Sequence, residues 1–151
     1  LDALLTVDIP PEEVAALNAQ LHRVGMDNIF LVAPTTPDER IARIVDQASG
    51  FIYYVSLKGV TGAGHLDLDD VAYHLARIRA RTDLPVAVGF GIKDAESAAN
   101  VARLSDGVVV GSALIRAMTD AIDAGGDHEA AKQAAIALLA DIRRGVDSVS
   151  T

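Results

Sequence analysis

Short apolar runs alternate with amphipathic stretches along the chain. ALLTVDI (3–9), NIFLVAP (28–34), FIYYVS (51–56), LPVAVGFG (84–91) and DGVVVGS (106–112) are nearly continuous in hydrophobic residues. After each comes a stretch with helical spacing of its apolar positions. These are EEVAALNAQLHRVG (12–25), PDERIARIVDQAS (37–49), LDLDDVAYHLARIRART (66–82), DAESAANVARLS (94–105) and ALIRAMTDAIDA (113–124). Continuous apolar runs predict strands buried on both faces, as in a parallel sheet covered by helices. Five βα units in strict alternation imply right-handed crossovers. Val7, Leu31, Val55, Val88 and Val109 are expected in strands, and HEAAKQAAIALLADIRRGV (128–146) in a closing helix. No linker or low-complexity segment interrupts the series.

Helix punctuation supports the same division. Pro10 and Pro11 precede Glu12 and Glu13, which places acids where a first turn and its macrodipole favour them. Thr36 is expected to cap the second helix, with Pro37 at its first position, and Asp94 to cap the fourth. Glu12, Glu13 and Asp38 read as capping and solvating residues.

Composition narrows the function classes. A length of 151 residues suits one domain or part of one, and half the residues are apolar. Thirteen basic against 21 acidic residues give a net charge of −8. Nothing in that balance supplies the cationic stripe that nucleic acid or an anionic membrane requires. A local anion site is still open to backbone amides. With no cysteine there is neither a disulfide nor a thiolate metal site. No apolar run approaches a membrane span and no signal peptide is visible, so the cytoplasm is the expected compartment. The chain starts at Leu1 without an initiator methionine, which is compatible with a lost start.

An α/β sheet carries its chemistry at the carboxyl ends of its strands. Those ends read VDIPP, VAPTT, YVSLKGVTG, VGFGIKD and VVGSAL. Three consecutive ends are rich in glycine, which lets backbone N–H groups approach an anion closely. Ser112 adds a hydroxyl, and the helix starting near Ala113 adds a positive dipole end. A Walker loop is absent. GFGIKD has the start of a dinucleotide fingerprint, but Asp94 stands at its third glycine position, where pyrophosphate would have to sit. His22, His65, His74 and His128 have no metal-ligand spacing, with His22 and His74 expected partly solvated in helices. Ser56 and Ser112 lack the context of an activated nucleophile. Tyr53 and Tyr54 alternate on one strand, so they face opposite sides, and core packing remains open for both.

TVDIPPEE, YYVSLKGVTGAG, VGFGIKD and VVVGSALI, in this order and spacing, resemble the tryptophan synthase alpha chain family. The likeness covers the whole chain and matches the fourth to eighth βα units of a TIM (β/α)8 barrel. It implies a single partial-barrel domain over residues 1–151, lacking its first three βα units. It further implies cleavage of indole-3-glycerol phosphate to indole and glyceraldehyde 3-phosphate, without a cofactor or metal. The implied partner is the tryptophan synthase beta chain, in an α2β2 assembly. By the same resemblance, Thr61 closes a mobile lid over residues 57–65 and Tyr53 lines the indole site. Phe90 flanks the ring, and Gly62, Gly91, Gly111 and Ser112 bind phosphate. Asp8 and Pro10 face the partner. Leu57 or Lys58 stands where family members often carry arginine.

The family's catalytic glutamate and aspartate belong to units expected upstream of Leu1. The chain alone is therefore expected to be inactive, and Asp8, Glu12 and Glu13 are not substitutes. A catalytically silent phosphate-binding half-barrel fragment, or another phosphate-binding barrel enzyme, is the alternative.

Overall fold

A computed structural model describes residues 1–56, 67–89 and 91–149. Among these, five strands form one all-parallel sheet in sequential order: β1 Ala3–Thr6, β2 Asp27–Val32, β3 Ile52–Val55, β4 Val86–Gly89 and β5 Gly107–Val109. The helices are α1 Ala15–Arg23, α2 Asp38–Gln47, α3 Leu68–Arg79, α4 Ala95–Ala102, α5 Ser112–Asp123 and α6 His128–Asp147. Sequential order with a helix after every strand is the arrangement of consecutive barrel units, not of a doubly wound sheet.

Side chains alternate between the two faces of each strand. The register aligns Phe30 with Ile52, Val32 with Tyr54, and Tyr54 with Val88. These residues and Val86 form one layer, packed against Ile41 and Ile44 of α2, Val71, Leu75 and Ile78 of α3, and Ala98 and Val101 of α4. Each buried aliphatic side chain of this kind contributes about 1.5–3 kcal/mol relative to exposure. The opposite face carries Leu5, Ile29, Leu31, Tyr53, Val55, Ala87 and Val109, aligned with one another in the same register.

The sheet is also tied at its amino-terminal edge. Asp106, just before β5, accepts from the Val86 N–H at 2.8 Å and from Arg79 at the end of α3 at 3.0 Å. The Val86 amide, helped by Arg79, holds the Asp106 carboxyl below its usual range.

Several sequence expectations change here. The first strand ends at Thr6, and Val7 is outside it with 65 % exposure. Pro10 and Pro11 supply no N–H for a ladder, and the chain must turn there to enter α1. Helix α1 starts at Ala15, so Glu12 and Glu13 lie in the preceding turn. Glu12 binds Arg43 of α2 at 2.8 Å instead of serving a first turn. Thr36 does not cap α2: its hydroxyl accepts from the Ala33 N–H at 3.0 Å, closing the turn after β2. Pro37 is the N-cap, in an extended conformation, and its carbonyl accepts from the N–H groups of Arg40 and Ile41. Asp38 does occupy the first turn, yet it is more than solvated, because Arg77 and Arg81 both bind its carboxylate.

Candidate functional site

The carboxyl ends of β4 and β5 are the most informative part of the molecule. Gly89 and Val109 are aligned partners, so Gly91 and Gly111 each stand two residues beyond the same pair on neighbouring strands. Both glycines are exposed, as is Ser112. Gly91 has φ +78°, a left-handed conformation that most side chains resist. Gly111 is the N-cap of α5, and a Cβ built there would meet no atom of the described residues within 4 Å. Among the described residues, open space therefore lies beside Gly111 at the α5 N-terminus.

The helix N-termini differ in a way that selects one of them. Asp94 caps α4 by accepting from the Ser97 N–H at 2.8 Å, and the Ser97 hydroxyl returns the interaction in a capping box. The Ser97 hydroxyl and amide pull the Asp94 carboxyl below its normal range. A second carboxylate, Asp141 of α6, accepts from the Ala95 N–H at 3.3 Å. Asp67 and Asp127 cap α3 and α6, and α2 has Asp38 and Glu39 in its first turn. Helix α5 has neither a side-chain cap nor an acid in its first turn. Helix α1 shares that absence, but Glu12 and Glu13 directly precede it. Among the described residues, then, no side chain caps the α5 terminus, and a helix end of that kind, with its free N–H groups and partial positive charge, can take an anion.

Tyr53 occupies the concave face of the sheet, with burial pushing its hydroxyl pKa upward. Its ring lies across β4, so a Cβ on Gly89 would collide with the Tyr53 hydroxyl and ring. Gly89 therefore makes room for Tyr53. Tyr54 faces the other way, fully buried and stacked on His74 of α3 at 5.7 Å between ring centroids. Burial, with the Asp70 charge second and Arg77 opposing, raises the Tyr54 hydroxyl to about 12. Of the two tyrosines, Tyr53 is the one available to a ligand inside the curve of the sheet, and core packing claims Tyr54.

The remaining expected positions divide cleanly. Asp8 is exposed and Pro10 half-buried, both in the segment leaving β1. Ser56 is buried at 1 %, with its N–H bonded to the Gly89 carbonyl, in keeping with a structural residue. His22 is exposed, whereas His74 keeps only 11 % of its side chain exposed. Thr61, Gly62, Phe90, Leu57, Lys58 and the lid span 57–65 lie outside the described residues. Among the described residues, no cluster of three His, Asp or Glu side chains could hold a metal ion. No described helix is long and apolar enough to cross a membrane.

Two contributors escaped the motif reading. Gly89 was visible only as one glycine of VGFG, and its packing partner lies 36 residues away in sequence. Asp141 reaches α4 from α6, and nothing local in its helix signals that contact.

Comparison with known proteins bears on the whole arrangement. The family model described as "Tryptophan synthase alpha chain" matches residues 1–144. The tryptophan synthase alpha chain of Thioalkalivibrio sulfidiphilus is 56 % identical over 147 residues, covering 97 % of this chain and 54 % of the relative. That of Methylococcus capsulatus is 50 % identical over 148 residues, with 98 % and 54 % covered. A crystal structure of the tryptophan synthase alpha chain from Legionella pneumophila subsp. pneumophila superposes with a TM-score of 0.83 at 38 % identity. It is covered over 54 % of its length by the whole of this chain. The chain spans about half the length of the curated relatives it matches.

Proposed function

Because this chain belongs to the tryptophan synthase alpha chain family, we propose that it forms the phosphate-binding and indole-lining side of a lyase site. The five parallel βα units correspond to the carboxyl-terminal portion of that family's TIM barrel. The reaction is cleavage of indole-3-glycerol phosphate to indole and glyceraldehyde 3-phosphate, in the tryptophan pathway and in the cytoplasm. No cofactor takes part in this chain's share of the chemistry. The bare N-terminus of α5 at Gly111 and Ser112, beside the Gly91 turn, is the observation that carries the reading. Two or three backbone N–H groups at that end, with the Ser112 hydroxyl, suit the doubly charged phosphate of the substrate. By the family resemblance, Gly62 also binds the phosphate and Thr61 closes a lid.

Tyr53 holds the indole ring on the concave face, and Phe90 is assigned to flank that ring by the family resemblance alone. The glutamate and aspartate that move protons come from βα units beyond these 151 residues. Positioned acids and bases of that kind each contribute about 10²–10⁴-fold in rate. Asp8 and Pro10 form part of the edge that meets the beta chain, in an α2β2 assembly.

The test is indole release from indole-3-glycerol phosphate. The 151-residue chain alone should release none above background. Adding a separately expressed segment with the first three βα units should restore turnover. In the full-length chain, Gly111→Asp should abolish substrate binding, because its carboxylate repels the phosphate and fills the open space. Robust turnover by this chain alone, or unchanged affinity in Gly111→Asp, would defeat the proposal.

A further inference from the structure

A line of side-chain hydrogen bonds runs behind the segment that leaves β1. The Thr6 hydroxyl donates to Asn28 Oδ1 at 2.5 Å, and Asn28 Nδ2 donates to Asn18 Oδ1 at 2.6 Å. Asn18 Nδ2 in turn donates to the Gln47 carbonyl at 2.9 Å and to Gln47 Oε1 at 3.3 Å. Thr6 and Asn28 are 6 % and 2 % exposed, so these bonds exchange little with water. The Asn28 backbone is held as well: its N–H donates to the Ser49 hydroxyl, and its carbonyl accepts from the Ser49 N–H.

The line closes a ring. Thr6 is the last residue of β1, and it reaches α1 through Asn28 and Asn18. The chain itself reaches α1 by the other route, through buried Pro11 and Val14, with the Asn18 N–H bonded to the Val14 carbonyl. Both ends of the stretch between them are thus fixed to one helix. The exposed arc of the ring is Val7, Asp8 and Ile9, with Val7 65 % and Ile9 39 % exposed. An acid flanked by two exposed aliphatic side chains suits a cationic or N–H-donating group set in an apolar rim.

We propose that Thr6, Asn28 and Asn18 are positioning residues that hold the Asp8–Pro10 edge in the shape its partner binds. This rests on the reading of that edge as facing the beta chain. A buried, fully paired amide line is costly to break on one side, since the abandoned acceptor stays in the interior. It also has a consequence that plain packing lacks. Cutting it loosens the arc without touching the Gly91 and Gly111 turns on the far strands.

The experiment measures partner affinity by titration calorimetry on the full-length chain. In parallel, the KM for indole-3-glycerol phosphate is measured without partner. Thr6→Val keeps the shape and removes the donor; it should weaken partner binding by about tenfold. KM should stay within about twofold of the parent, and Thr6→Ser should restore most of the affinity. Asn18→Leu cuts the line at its half-buried end and should act in the same direction if Thr6→Val folds poorly. Asp8→Ala reports on the edge itself. If Asp8→Ala weakens binding while Thr6→Val and Asn18→Leu do not, the relay is overturned and the edge stands. If Asp8→Ala has no effect, the partner-facing reading falls, and the relay with it. An equal change in KM and affinity, or no rescue by serine, would reduce the line to general stability and also overturn the proposal.

Discussion

The two faces of the sheet are made of the same strands and much the same residue types, yet they end in different surroundings. On the helix side, Phe30, Val32, Ile52, Tyr54, Val86 and Val88 are each no more than 3 % exposed. On the concave side, Leu5 is 43 % exposed, and Leu31, Tyr53, Val55, Ala87 and Val109 are all half-buried. Ile29 and Gly89 are exceptions, and the Tyr53 ring covers Gly89. In a closed barrel the inward side chains of all strands fill the interior in layers. Here five strands supply part of such a layer. The covered face carries stability, whereas the concave face carries Tyr53 and the glycine turns at its rim. The packed core and the residues proposed to bind substrate thus lie on opposite faces of a single backbone.

Substitutions on opposite faces can break that comparison. The largest effect is expected for Ile52→Ala, at about 2–5 kcal/mol of unfolding free energy, because the site is fully enclosed. Val55→Ala, three residues on and facing the concavity, should cost roughly 1 kcal/mol or less. Urea denaturation of both variants decides the matter, and equal losses would mean that the concave face is as well packed as the other.

Next in size is Gly89→Ala, which forces a methyl group onto the Tyr53 ring and should cost about 1–3 kcal/mol. In a Tyr53→Ala background that penalty should largely disappear, so a double-mutant cycle should show strong coupling. Additive losses would place the Tyr53 ring elsewhere. Asp94→Ala removes the α4 cap and should cost about 1 kcal/mol. Ser112→Ala, at the uncapped α5, should leave stability nearly unchanged while weakening phosphate binding in the full-length chain.

The smallest effect concerns pH. The folded-state carboxyl of Asp106 is held below its ordinary value by the Val86 amide and Arg79. Its stabilisation is therefore present above the unfolded-state value near 4 and is lost as pH falls through the lower folded value. Asp106→Asn should flatten this part of the acid limb and leave stability above pH 5 lower by well under about 1 kcal/mol, since the side chain is half-exposed. An unchanged acid limb would remove Asp106 from the account.

Much of this was legible in the chain. Near-continuous apolar runs mark strands buried in a parallel sheet, and their five-fold recurrence with intervening helices marks βα units; the sequential order of a barrel is what the family resemblance implies. The Asp94 cap was readable because its partner, Ser97, lies three residues away. The positions of Gly91 and Gly111 just past neighbouring strand ends were legible as well, whereas the binding roles of Gly91, Gly111, Ser112 and Tyr53 are what the family resemblance implies. The Thr36 and Glu12 expectations failed for one reason: each side chain had a competing partner. Thr36 turns back to Ala33, and Glu12 finds Arg43 on the following helix.

Local periodicity and short-range capping thus determined which segments are strands and helices, their succession, and which glycines stand at strand ends. Only the tertiary structure decided which face of each strand lies under helices. A parallel strand is apolar on both sides, so hydropathy carries no sign that distinguishes them. It likewise decided that Asp141 fills the α4 terminus and leaves α5 bare, that Gly89 yields to Tyr53, and that Thr6 is held through Asn28. Those contacts join residues 22 to 46 positions apart, and their energies depend on how packed elements meet.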